Sequence, residues 1–234
     1  MCTVIVSVPE SPDDPIRVLA VRDEDPGRAW DPLGRWWPEL PDVVGVRDSR
    51  AGGAWLAADT DAGRLAVVLN RADLLPEKVA TGSRGHIVLD AVAGRELPDE
   101  PRTHGFNLVE IGGGTARVHH WDGAAVRTVP LGPGVHMIAH GDVDDPDTAR
   151  IAAWRDAFGA PADGPRWWEP WLTALEETTA VAPTDDRAII RDNRAHGYPT
   201  LSLLVCAASV AGSHADVVYG ELVEAGVWNH LDLR

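Results

Sequence analysis

A cysteine stands directly after the initiator methionine, at the head of the apolar run Thr3-Val4-Ile5-Val6-Ser7-Val8. If Met1 is trimmed, Cys2 becomes the first residue and carries a thiol and a free α-amine together. An α-amine has an unperturbed pKa near ~7.7–8.0, so a useful fraction is neutral at physiological pH and takes the thiol proton directly or through water. The chemistry this allows is attack on a carbonyl by a nucleophile with its own base. A second apolar run, Ile16-Arg17-Val18-Leu19-Ala20-Val21, follows a Pro/Asp/Ser break at 9–15, and the two runs read as a hairpin. With Val8 opposite Ile16, antiparallel pairing sets Cys2 opposite Arg22, next to Asp23 and Glu24. A guanidinium beside the thiol favours thiolate, and a carboxylate holds the α-amine. The plainer reading is a small residue opening an edge strand beside a solvated turn.

Acyl transfer also needs donors for a developing oxyanion. Gly52-Gly53 could turn main-chain amides toward one, although paired glycines more often serve close strand approach or a positive φ. Asn70 ends the apolar run Leu65-Ala66-Val67-Val68-Leu69, where its carboxamide could donate to the same oxygen. His136 and His140 fall on one face whether their segment is strand or helix, which makes them the best haem or metal pair, though two histidines without a third ligand are a weak zinc site. His119 and His120, adjacent on a strand, point to opposite faces.

The elements that would carry these groups follow from periodicity. Strands are expected at 43–46, 54–58 and 65–70, a core-packed helix over 83–94, and a hairpin of 105–111 with 115–121 around Gly112-Gly113-Gly114. Asp145-Pro146 is expected to begin a helix that stops at Gly159, Pro165 another, and 200–210 with 217–222 a closing hairpin. The stretch 25–38, with three tryptophans among its prolines and glycines, reads as an ordered loop without a regular element. Ten Trp against two Phe and two Tyr is an unusual balance, and such indoles either wall a pocket or cap a core.

The 234 residues are 44% apolar, enough for one sizeable core, and carry 21 basic against 36 acidic side chains, a net charge of −15. That charge opposes binding to phosphate backbones or anionic lipid, so nucleic acid and membrane partners are set aside in favour of a small molecule. Two cysteines leave no disulfide framework, and with no signal-like amino terminus and no long apolar span the expected location is the cytoplasm. Arginine outnumbers the single lysine, Lys78, which suggests a GC-rich bacterial genome.

Cys2, Ala20-Val21-Arg22-Asp23-Glu24, Gly45-Val46-Arg47-Asp48-Ser49-Arg50-Ala51-Gly52-Gly53-Ala54-Trp55, Leu69-Asn70-Arg71, Gly105-Phe106-Asn107-Leu108 and Pro133-Gly134-Val135-His136-Met137 together resemble the NRDE family, also called the transport and Golgi organisation protein 2 family. The resemblance runs through nearly the whole chain and implies a single domain over 1–234. It sharpens an antiparallel α+β pattern to a four-layer αββα sandwich of the N-terminal nucleophile hydrolase type. By the same resemblance Cys2, Arg22, Asp23 and Asn70 would be catalytic, and Glu24, Arg50, Gly53, Trp55, Asn107 and His140 would face the substrate. Val21 stands where the family name has Asn, His140 where Asn is common, and Leu201 where Arg is common. The implied activity is hydrolysis of a non-peptide amide with no required cofactor. The alternative is a carrier of haem or another flat apolar ligand in the same pocket.

Overall fold

The computed structural model describes residues 2–75 and 81–234. In chain order come β1 (Thr3–Val8), β2 (Ile16–Glu24), β3 (Trp30–Gly34), β4 (Val43–Asp48), β5 (Ala54–Asp59), β6 (Arg64–Asn70) and α1 (Gly85–Val92). Then follow β7 (Phe106–Gly112), β8 (Thr115–Trp121), β9 (Val126–Leu131), β10 (Gly134–Ile138), α2 (Ala149–Trp154), α3 (Glu169–Glu177), β11 (Leu201–Ala211) and β12 (His214–Glu221). The strands form two antiparallel sheets, ordered β10-β1-β2-β11-β12 and β3-β4-β5-β6-β7-β8-β9. The β1–β2 register runs from Thr3 opposite Val21 to Ser7 opposite Arg17. Continued one step, it sets Cys2 opposite Arg22, as the hairpin predicts.

Both central strands are apolar on both faces because each face meets a different layer. Val4, Val6, Val18 and Ala20 join the core between the sheets, while Ile5, Leu19 and Val21 pack with residues of α2 and α3. In the second sheet, pairing puts Leu65, Val67 and Leu69 on one face and Arg64, Ala66 and Val68 on the other. Asn107, opposite Leu69, bonds across to the end of β10, so the Leu69 face is the inner one. Arg64 on the other face reaches the Val92 carbonyl of α1. The layers are therefore α1, second sheet, first sheet, and α2 with α3: an αββα sandwich. No helix among the described residues is long and apolar enough to cross a membrane.

Two expectations need correction. The tryptophan stretch is not without regular structure: β3 pairs with β4, and Pro32 is tolerated because β3 is an edge strand whose register shifts between Asp31 and Gly34. The helix expected from Asp145 begins only at Ala149. The Asp145 carboxylate accepts from the Asp147 N–H and the Thr148 hydroxyl, closing a turn that leaves Thr148 extended. Lys78 lies outside the described residues.

Trp171, 1% exposed, anchors the helical layer. Its indole N–H donates to Gly159 O at 2.8 Å, and it meets Phe158 and Trp167 edge to face. Trp171→Ala should lower unfolding free energy by about 3–5 kcal/mol. A urea midpoint that stays within error of the parent would show that this layer does not hold the sandwich.

Candidate active site

At the end of the inter-sheet core a cavity of about 860 Å³ opens, with Cys2, Arg22, Asp23, Glu24, Trp55, Asn70 and His140 in its wall. The hairpin delivers the first four, because strand pairing carries the residue before β1 to the far end of β2. Cys2 is 8% exposed. Its Sγ accepts the Asp23 main-chain N–H at 3.3 Å and lies 3.6 Å from that residue's carbonyl oxygen. Burial pushes the Cys2 thiol up and the Asp23 carboxylate adds to this, outweighing the main-chain N–H and Arg22, which pull it down. The expectation of a thiol made acidic by Arg22 is thus corrected: desolvation is the larger effect.

Arg22 is spent differently. Its guanidinium lies 5.6 Å from the Trp30 ring and 6.0 Å from the Trp55 ring, its Nη2 is 3.6 Å from Glu24, and its buried Nη1 has no hydrogen-bond partner among the described residues. Alternation turns Asp23 the opposite way. The Ser202 hydroxyl donates to Asp23 Oδ1 at 2.6 Å and the Asn193 carboxamide to Oδ2 at 3.4 Å. Arg191 locks both helpers, its N–H donating to Ser202 Oγ and its Nε to Asn193 Oδ1. A carboxylate held this way cannot swing.

His140 is delivered by Asn107. The Asn107 carboxamide is wholly buried, and its NH₂ donates to the carbonyls on either side of His140, Ala139 O at 2.9 Å and Gly141 O at 2.8 Å. Its oxygen faces His120 Nδ1 at 2.7 Å. Asn107 therefore stands behind the wall and positions it, rather than meeting a substrate. Burial first, then Arg150, lowers the His140 pKa, so its imidazole is neutral, and its buried Nδ1 has no hydrogen-bond partner among the described residues. His136 does not join it, since Nδ1 meets Asp144 and Nε2 meets Gly132 O. The expected His136/His140 pair is not formed because β10 ends at Ile138 and the chain turns before His140.

Gly53 and Arg50 lie outside the cavity wall. A Cβ on Gly53 would come 2.5 Å from the Gly85 backbone, so this glycine allows α1 to approach β5. The Gly52 N–H is committed to Asp48 O, and Arg50 is exposed on that turn. Of the ten tryptophans, Trp55 is the one in the cavity wall. Sequence reasoning missed Asn193, Ser202 and Arg84 as site residues: they sit far along the chain from Cys2, and the periodicity that reads 83–94 as a helix and 200–210 as a strand does not mark which side chain reaches the site.

Two pH effects follow. His120 is buried beside Asn107, and desolvation, followed by Arg127 and Arg71, lowers its pKa from 6.5 to about 4. Because the folded value lies below the unfolded one, stability is full above 6.5 and falls as the pH drops toward 4. A pH series of urea midpoints on parent and His120→Gln should show that loss in the parent and a flatter profile in the variant. Cys206 is fully buried and its thiol is pushed far up by desolvation. Iodoacetamide should therefore label Cys2 before Cys206, at a rate that rises with pH above neutrality. Peptide mapping that finds Cys206 labelled first would contradict this.

The architecture and the cysteine at the head of its first strand define an αββα protein with Cys2 in the wall of a cavity at one end of its sheets. The family model described as Transport and Golgi organisation 2 matches residues 1–146, and the chain belongs to that family. No curated protein matches by sequence. Among solved structures, a Caenorhabditis elegans N-acylethanolamine-hydrolyzing acid amidase ortholog is similar at 12% identity and a TM-score of 0.45, over 88% of this chain and 92% of the other. A C2A mutant of the conjugated bile acid hydrolase from Clostridium perfringens is similar at 10% identity and a TM-score of 0.42, over 100% and 96%.

Proposed function

We propose that the chain is an N-terminal cysteine nucleophile amidohydrolase. One observation carries this reading: Cys2 Sγ sits in a cavity wall against the main chain of Asp23, whose carboxylate is clamped by Ser202 and Asn193. A thiol whose surroundings keep it protonated needs a base within reach. After loss of Met1 the α-amine of Cys2 is that base, and the fixed Asp23 carboxylate orients it. The amine takes the thiol proton as Sγ attacks the amide carbon. Asn70, whose carboxamide has no hydrogen-bond partner among the described residues, donates to the oxyanion. The intermediate then collapses: the C–N bond breaks, the α-ammonium gives its proton to the leaving amine, and a thioester remains. Water, deprotonated by the same α-amine, attacks the thioester carbon; the C–S bond breaks, the acid leaves, and the thiolate recovers its proton from the α-ammonium. The test is intact mass. The purified chain should be lighter than its translated sequence by one methionine, and a fully retained Met1 would remove the base.

A carrier reading has one observation in its favour, the Nδ1 of neutral His140 in the same wall, which has no hydrogen-bond partner among the described residues. Under it, hemin titration should shift the Soret band in the parent and not in His140→Ala. Identical spectra for the two would remove His140 as the haem ligand.

A further inference from the structure

Four arginines and four carboxylates line the cavity, and their pairing does not come out even. Asp48 is bonded to Arg28 and to two main-chain N–H groups. Asp73 accepts from the Gly105 N–H and faces His104, Asp23 is clamped as described, and Glu24 sits against Arg22 and Arg28. Arg71 is paired with Asp142. Arg84 is left over. It stands just before α1, donates Nη1 to Gly105 O at 2.9 Å, and among the described residues has no carboxylate within ion-pair distance.

A partly buried guanidinium with donors to spare is costly unless an anion completes it: burial opposes the Arg84 charge, and Glu24 and Asp73 favour it only through space, without an ion pair. Arg22 reinforces the field at the same wall, with its Nη1 unpartnered among the described residues. Arg84 presents a planar fork of N–H groups, the geometry that matches a carboxylate or phosphate two bonds at a time.

We infer that the ligand of this cavity is an anion, an amide whose carboxylate or phosphate is held by Arg84. This rests on the hydrolase reading for the word amide only; the charge requirement concerns binding and stands apart from turnover. Arg84 is then a specificity residue that touches the substrate's charged end rather than the scissile bond.

The experiment measures binding in the full-length Cys2→Ala protein, where no turnover intervenes. Calorimetric titration compares N-decanoylglycine, its neutral analogue N-decanoylethanolamine, and decyl phosphate. One of the two anions should bind about tenfold or more tighter than the neutral amide. The tighter anion identifies the source, carboxylate or phosphate. Arg84→Gln should bring the ratio to near one, and Arg84→Lys should restore part of it, since lysine keeps the charge and loses the fork. A thermal melt on each variant separates loss of selectivity from loss of fold. Equal affinity for charged and neutral ligands, no binding of either anion at millimolar concentration, or a ratio unchanged in folded Arg84→Gln would each overturn the inference. Anion selectivity in a protein whose parent form shows no turnover supports the inference while removing the hydrolase; turnover of neutral amides without selectivity does the reverse.

Discussion

Cys2→Ala should reduce amide hydrolysis by about 10⁴-fold or more while leaving the sandwich folded. A covalent nucleophile and the groups that serve it act as a unit, so removing the nucleophile forfeits nearly all of their joint effect. The structural loss is small by comparison. The thiol is a few atoms at the head of β1, and its contacts are the Asp23 N–H at 3.3 Å and the rim of the inter-sheet core. Unfolding free energy should fall by only about 1 kcal/mol. Cys206→Ala is the internal control. That residue is wholly buried in β11 opposite Ala20 and Tyr219, away from the cavity wall, and its replacement should leave turnover near the parent level. Full turnover in Cys2→Ala, measured by release of the free amine, would sink the nucleophile assignment.

The second large effect belongs to Asp23. Asp23→Ala removes the main acceptor for the Ser202 hydroxyl and the Asn193 carboxamide, both buried, leaving the hydroxyl with the long 3.4 Å approach to Ile189 O and the carboxamide with Thr200 Oγ1 at 3.1 Å. Each lost hydrogen bond costs about 0.5–1.5 kcal/mol, so a total loss of roughly 1–3 kcal/mol is expected. Turnover should fall as well, because the α-amine loses the carboxylate that orients it. Asp23→Asn separates the two. It keeps the shape and one acceptor oxygen, so most stability should return while the charge does not, and hydrolysis should stay at least about tenfold down. If Asp23→Asn hydrolyses amides at the parent rate, the residue is a structural clamp and does not orient the base.

How far the sequence reached depends on the distance each feature spans. The β1–β2 hairpin, the three-strand run ending at Asn70, the Gly112-Gly113-Gly114 hairpin and the closing β11–β12 pair are local, and period-two alternation with turn residues announces them. The same alternation sets Cys2 opposite Arg22, since one register choice determines every facing pair in a hairpin. Local signals mislead where they compete. Proline and glycine around Trp30 hid an edge strand, which tolerates them because one of its sides has no hydrogen-bonding partner. Asp145-Pro146 looked like a helix start, but side-chain bonds closed a turn there first.

The sequence by itself determined that a cysteine opens a strand facing Arg22 and that the strands form antiparallel pairs, because both follow from neighbours along the chain. Only the tertiary structure decided what that cysteine experiences. Burial is a property of the assembled layers, and it reversed the thiol's expected shift. Asn193 and Ser202 reach Asp23 across 170 and 179 positions, and Arg84 comes to the same cavity from the head of α1. Such meetings leave no periodic trace, since packing one sheet on another selects them and no run of residues encodes the separation.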